Sequence, residues 1–253
     1  MKVSANLGFL YTNLSISERI ASAGEDGFEA VEFHWPYDVT PQELRAAMVA
    51  AGVSGLSLNT RRGNLEAGEF GLAALPGRVN EARAAIIEAV EYAAASGLVT
   101  VHVMAGRAEG PAAEAAFVEN LKFACHRAAV HRIGILIEPL NLRDVPGYFL
   151  TGMDHARRVI GSAGRSNLRI LYDVYHMQIM QGDHVRTLEG LGDTVGHVQI
   201  AAVPDRTEPD QGEVDMHWLL ERISYSGFVG AEYRPTREPR DWLRRFRTIR
   251  GAE

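Results

Sequence analysis

Eight times along the chain a short apolar segment rich in β-branched residues gives way to a helix-forming segment, and no other feature limits the fold as far. The strand-like segments are Lys2–Phe9, Phe28–His34, Val53–Asn59, Leu98–Met104, Ile133–Glu138, Leu168–Asp173, Val195–Ala201 and Phe228–Tyr233. Helical stretches follow over 15–23, 40–51, 77–96, 111–130, 151–160, 183–191, 215–224 and 239–250. Their ends carry stop and start signals. Thr40-Pro41-Gln42-Glu43 is a capping box with proline in the first turn, and Gly52 closes that helix. Ser15 or Ser17 caps the first helix, and Thr151 or Asp154 the fifth.

Strands alternating with helices imply a parallel sheet. Eight such units in 253 residues, with no break in composition to mark a linker, fit one closed (β/α)8 TIM barrel over residues 1–253. No G-x-G-x-x-G follows the first strand, which removes the main reason to prefer an open doubly wound sheet.

The strands end on polar side chains. Glu32 or His34, Asn59, His102, Glu138, Asp173, Gln199 and Glu232 all fall at or near strand C-termini. Counted from Glu32, the steps between them are 27, 43, 36, 35, 26 and 33 residues, each about one βα unit. In a (β/α)8 barrel those ends ring one mouth, where catalytic groups sit. Side-chain alternation puts Leu136 on the face of Glu138, His197 on that of Gln199, and Phe228 and Gly230 on that of Glu232. Carboxylates crowded into a poorly solvated mouth repel one another, and a divalent cation relieves the conflict. Three carboxylates and an amide carbonyl, from Glu138, Asp173, Gln199 and Glu232, are an all-oxygen donor set that suits Mg²⁺ or Mn²⁺ better than Zn²⁺. No organic cofactor is expected.

The balance of 32 acidic against 26 basic residues, net charge −6, argues against a nucleic-acid partner. The arginines of 237–250 read as a solvated helix face. A single cysteine, Cys125, excludes an intrachain disulfide framework and reads as a small buried hydrophobe. No signal peptide and no membrane span are expected, so the expected location is cytoplasmic. Two long polar loops, 60–76 and 202–213, are long enough to be functional, as pocket walls, a lid or the interface of a homo-oligomer.

Seven stretches then share a pattern with a known family. They are Phe28–Tyr37 (FEAVEFHWPY), Gly68–Arg78 (GEFGLAALPGR), Val101–Gly106 (VHVMAG), Ile137–Asn141 (IEPLN), Asp173–Gln181 (DVYHMQIMQ), Gly196–Glu213 (GHVQIAAVPDRTEPDQGE) and Gly227–Pro235 (GFVGAEYRP). In this collinear order the chain resembles the hydroxypyruvate isomerase family, within the xylose isomerase-like TIM barrels. The resemblance implies Glu138, Asp173, Gln199 and Glu232 as metal ligands and Glu138 and Glu232 as the acid/base pair. It implies His176 and Arg206 as substrate contacts. His102 and Asn59, at the ends of the fourth and third strands, complete the expected substrate contacts. The chain departs from the family pattern at Ala202, where aspartate is expected, at Asp205, where glycine is common, and at Phe70 within the Gly-Glu-x-Gly element.

The implied activity is isomerisation of a small hydroxy-oxo acid, first hydroxypyruvate to tartronate semialdehyde (2-hydroxy-3-oxopropanoate), through an enediolate. One glutamate removes the α-proton and the other protonates the neighbouring carbon. Arg61, Arg62 and Arg206 are candidates to meet the substrate carboxylate. A 2-oxo-tetronate isomerase and a ketose 3-epimerase would use the same residues. A metal-dependent endonuclease or a non-catalytic barrel are the rivals from other classes.

Overall fold

A computed structural model describes residues 2–250, with side chains through Thr248. The chain forms two compact units, one of Met1–Leu56, Asp173–Gly192 and His197–Glu253, the other of Ser57–Tyr172 and Asp193–Gly196. The first unit opens with β1 (Lys2–Asn6), α1 (Ile16–Asp26), β2 (Ala30–Glu32), α2 (Pro41–Ala51) and β3 (Ser54–Gly55). The second contains β4 (Ser57–Asn59), α3 (Val79–Ser96), β5 (Thr100–His102), α4 (Gly110–Ala129), β6 (Gly134–Ile137), α5 (Met153–Ala163) and β7 (Leu168–Asp173, its last residue counted with the first unit). The chain then returns to the first unit with α6 (Val174–Met180), α7 (His184–Leu191), β8 (Val195–Ile200, its first two residues counted with the second unit), α8 (Met216–Arg222), β9 (Phe228–Ala231) and α9 (Pro239–Arg250).

Within the first unit the strands run β3-β2-β1-β9-β8, and within the second β7-β6-β5-β4, and every pairing below is parallel. The registers matter for the site. Asn6 lies opposite Glu32, Ser4 opposite Gly230 and Gln199 opposite Gly230. In the second unit Asn59 lies opposite His102, and His102 opposite Leu136.

Three local expectations are corrected. The strand expected over 53–59 is two pieces, because pairing stops at Gly55, a residue that weakens strands; β3 pairs with β2 and β4 with β5. Helix α6 starts directly after Asp173, whose carboxylate accepts the Tyr175 N–H at 2.8 Å as an N-cap; the segment Val174–Met180 is too short for its period to announce a helix. The fifth helix is capped neither by Thr151 nor by Asp154, since Gly152 occupies the cap with φ 73°, a left-handed conformation that glycine adopts without strain.

Other signals hold. The Glu18 carboxylate accepts the N–H and hydroxyl of Ser15, and Glu43 does the same for Thr40. Helix α9 buries Trp242, Leu243 and Phe246, with Trp242 stacked on Phe28 and edge-on to Tyr233, while its Arg240 and Arg247 pair with Asp26 and Glu29. Cys125 is buried within α4, and burial pushes its thiol up to about 12. Among the described residues no helix is long and apolar enough to cross a membrane.

Candidate active site

In the first unit the side chains beyond the ends of β1, β2, β7, β8 and β9 form two polar layers. The outer layer centres on Glu232, directly after β9. Its Oε1 accepts from Asn6 Nδ2 at 3.0 Å and lies 2.9 Å from His34 Nε2, while its Oε2 accepts from the Arg206 guanidinium at 2.6 Å. The same guanidinium nitrogen donates to Asp173 Oδ2 at 3.2 Å, and His176 Nε2 lies 3.6 Å from that oxygen. Arg206 has little freedom. Its backbone is left-handed (φ 55°), its N–H donates to Ala202 O, and its guanidinium lies 4.8 Å from the centres of both the Phe9 and Tyr175 rings.

Charge in this layer is unevenly shared. Burial drives the Asp173 carboxyl up to about 7, against the pull of Arg206 and reinforced by the charge of Glu232. Burial also opposes the charge of Glu232, but Arg206 and His34 outweigh it and hold that carboxyl at about 2.

The inner layer centres on Glu32, which is fully buried. Gln199 Nε2 donates to its Oε2 at 2.7 Å, His197 Nε2 lies 2.9 Å from its Oε1, and the Ser4 hydroxyl donates to the same oxygen. Burial disfavours the charge here too, yet His197, Ser4 and Gln199 together leave the Glu32 carboxyl below its ordinary range. Gly230 makes room for this cluster. A Cβ there would run into the Glu32 carboxylate and come within 2.9 Å of both Gln199 Cγ and His197 Nε2.

In the second unit Asn59, His102 and Glu138 gather. His102 Nδ1 is 3.2 Å from Asn59 Oδ1 and 3.7 Å from Glu138 Oε2. Glu138 and His102 are buried, and Tyr148 beside them accepts the Ala105 N–H at 3.0 Å; burial pushes its hydroxyl far above the ordinary tyrosine range. The loop after β4 is fastened rather than loose. Glu69 accepts the Asn64 N–H and pairs with Arg78, and Phe70 meets the Tyr148 ring edge-on at 6.2 Å. Arg61, a candidate for a substrate carboxylate, instead grips Glu88 through two hydrogen bonds of 2.7 and 2.9 Å.

Asp173, His176, Arg206 and Glu232 thus meet in one unit, with Gln199 held on Glu32 in the same unit, and Asn59, His102 and Glu138 meet in the other. Asp173 and His176 in the first unit and Glu138 in the second are each buried. Asn6 is absent from the residues expected at the strand ends, and His34 stands among them only as an alternative to Glu32. Both fill the Glu232 carboxylate. The signal was present: Asn6 has the parity of Ser4 at the end of the first strand, and His34 that of Glu32 at the end of the second.

Residues 18–248 match the family described as xylose isomerase-like TIM barrel, the fold that the eightfold alternation predicts. The 2-oxo-tetronate isomerase of Cupriavidus necator is 42% identical over 92% of this chain and 93% of that protein. The hydroxypyruvate isomerase of Escherichia coli is 38% identical over 93% of this chain and 94% of that protein. Among solved structures, an AP endonuclease, family 2, from Brucella melitensis superposes with a TM-score of 0.93 at 37% identity, covering 98% of this chain and 99% of that one.

Proposed function

The chain belongs to the xylose isomerase-like TIM barrel family, and from that footing we propose that it is a metal-dependent isomerase of a small hydroxy-oxo acid, with hydroxypyruvate as the first candidate substrate. The observation that carries this reading is the Glu232 carboxylate, buried, ionised and aimed by Asn6, His34 and Arg206 beside a second buried carboxylate, Asp173.

The residues fit a hard divalent cation. Gln199 commits its NH₂ to Glu32, and its carbonyl oxygen is buried with no hydrogen-bond partner among the described residues. A buried acceptor is rarely left so, and a cation is one partner that satisfies it. Asp173, Gln199 and Glu232 contribute oxygen donors only. The register of strand ends and the family barrel support Glu138 as the fourth ligand and Mg²⁺ or Mn²⁺ as the cation. When bound, the cation polarises the substrate carbonyl and stabilises the negative charge that grows on oxygen as the α-proton leaves.

The rest is done by the chain. Glu232 is ionised at neutral pH and takes the proton from the substrate carbon, and Glu138 serves as its acid/base partner on the neighbouring carbon. Asn6 and His34 keep the Glu232 carboxylate in one orientation while the proton moves. Arg206, flanked by Phe9 and Tyr175, meets the substrate carboxylate, and His176, His102 and Asn59 contact its oxygens.

The 42% identical relative from Cupriavidus necator favours a second reading, isomerisation of a four-carbon 2-oxo-tetronate by the same groups. The name of the Brucella structure raises an endonuclease, against which stand the net charge of −6 and a site of buried side chains. One experiment separates the three. The purified protein with Mg²⁺ or Mn²⁺ is offered hydroxypyruvate, 2-oxo-tetronates and, separately, an abasic-site duplex. Deuterium incorporation and product formation are followed by NMR in deuterated water, and strand cleavage on a gel. Exchange and turnover of one of the acids, abolished by chelation, is the expected result. Duplex cleavage with inert acids would overturn the isomerase reading.

A further inference from the structure

We infer that Glu32 is a positioning residue that aims the carbonyl end of Gln199 at the metal; the inference rests on the reading of Gln199 as a ligand. An amide side chain has a donor end and an acceptor end of nearly the same shape. Among carboxylates such as Asp173 and Glu232, an unrestrained amide offers its NH₂ group, which satisfies the anions and presents the wrong end to a cation. Gln199 therefore needs a stronger claim on its nitrogen, and Glu32 makes one.

The geometry leaves one orientation. An ionised carboxylate only accepts, and Glu32 takes Gln199 Nε2 at 2.7 Å on one oxygen, with Ser4 and His197 on the other. Turning the amide over would set a carbonyl oxygen against a carboxylate oxygen in a place where Glu32 is fully buried and water cannot intervene. With the nitrogen held, the carbonyl oxygen is the buried atom left with no hydrogen-bond partner among the described residues. Gly230, opposite both Ser4 and Gln199 in the sheet, leaves the space through which Glu32 reaches them. Glu32 touches neither substrate nor cation in this scheme. It acts through Gln199.

The test reads metal binding, not turnover. Mn²⁺ is titrated by electron paramagnetic resonance into the whole purified protein and into Glu32→Gln, Gln199→Ala and the double variant. Loss of an outer partner of a ligand weakens metal binding about 10- to 100-fold, and that loss is expected for Glu32→Gln. In the Gln199→Ala background the same change is expected to produce no further loss, because the residue it acts through is gone. Equal weakening in both backgrounds would mean that Glu32 acts through its charge alone and would overturn the inference. So would a Glu32→Gln variant that binds Mn²⁺ like the parent. Should Glu32→Gln not fold, the unmodified protein answers. Its Gln199 NH₂ signals, identified by their absence in Gln199→Ala, should exchange slowly with water and shift when Mg²⁺ is added. Fast exchange, or no shift on saturation, would overturn it. A parent that binds no Mn²⁺ would overturn the metal reading and this inference with it, whereas a binding parent with an indifferent variant removes this inference alone.

Discussion

Glu32 and Glu232 are the same residue type, in the same unit, at the ends of β2 and β9, and each faces a histidine at 2.9 Å. Burial works against the charge of both, and neighbours restore it in both. The neighbours differ. Glu32 is enclosed by Ser4, His197 and Gln199, so its proton affinity is spent on holding the layer together. Glu232 is held by Asn6, His34 and Arg206, and Arg206 also answers to Asp173, whose carboxyl is pushed up to about 7. Two carboxylates with different partners thus stand in one unit, and the roles proposed for them differ accordingly, Glu32 as a strut and Glu232 as the reactive group. What separates them is the guanidinium that Glu232 shares with Asp173.

That contrast can be broken most strongly at Glu232. Glu232→Gln removes the proposed base and is expected to lower α-proton exchange by about 10²- to 10⁴-fold with the melting temperature little changed; Glu138→Gln should do the same. Exchange near the parent rate, followed by NMR in deuterated water, would falsify the acid/base assignment. Glu32→Leu should show the reverse pattern. It strips the buried Gln199 amide and Ser4 hydroxyl of their acceptor, and each buried group left unsatisfied costs about 1–3 kcal/mol, to be read from the shift in denaturant midpoint. A variant as stable as the parent would contradict its description as a strut.

Smaller changes sharpen the difference. A side chain at Gly8 would collide with the His34 ring, so Gly8→Ala should release His34 from Glu232. Loss of one hydrogen bond to a charged group, about 1.5–3 kcal/mol, predicts at least a tenfold fall in turnover with little change in substrate affinity. Gly230→Ala crowds Glu32 instead, and should reduce stability by about 1–3 kcal/mol, the usual range for overpacking. An effect that shows only in acid belongs to His184, a buried histidine with a neutral partner, Gln178, at 2.9 Å, and with Asp183 as a nearby charge. Burial lowers it to about 4, whereas the unfolded chain titrates near about 6.5. Between those values the unfolded state binds the proton that the folded state refuses, so stability falls as pH drops from about 6.5 to about 4 and then levels off. Urea midpoints across that window should decline less in His184→Gln than in the parent.

Much of the site was legible before any coordinates. Asp173, Gln199 and Glu232 stand at the strand ends where the step of one βα unit puts them, and the short apolar strands were found within a few residues, apart from the break at Gly55. Asn6 escaped because β1 alternates weakly and its polar end reads as the start of a loop. The short helix after Asp173 escaped because seven residues, two of them polar, are too few to show a period. Arg61 is no more than a candidate in the sequence, because a loop arginine carries no mark of its partner, and Glu88 is on a helix 27 positions away. Local sequence reports local bias; it does not report which distant group arrives to use up a donor.

By itself the sequence determined the number of βα units, most of the polar residues at the strand ends and the family to which the chain belongs, because periodicity and capping act over a few residues. Only the tertiary structure decided which carboxylate is which. The partners of Glu232 lie 226, 198 and 26 positions away, and the amide that Glu32 holds lies 167 away. Charge in a buried layer is set by the hydrogen-bond donors that surround it, and those donors come together only when the strands do.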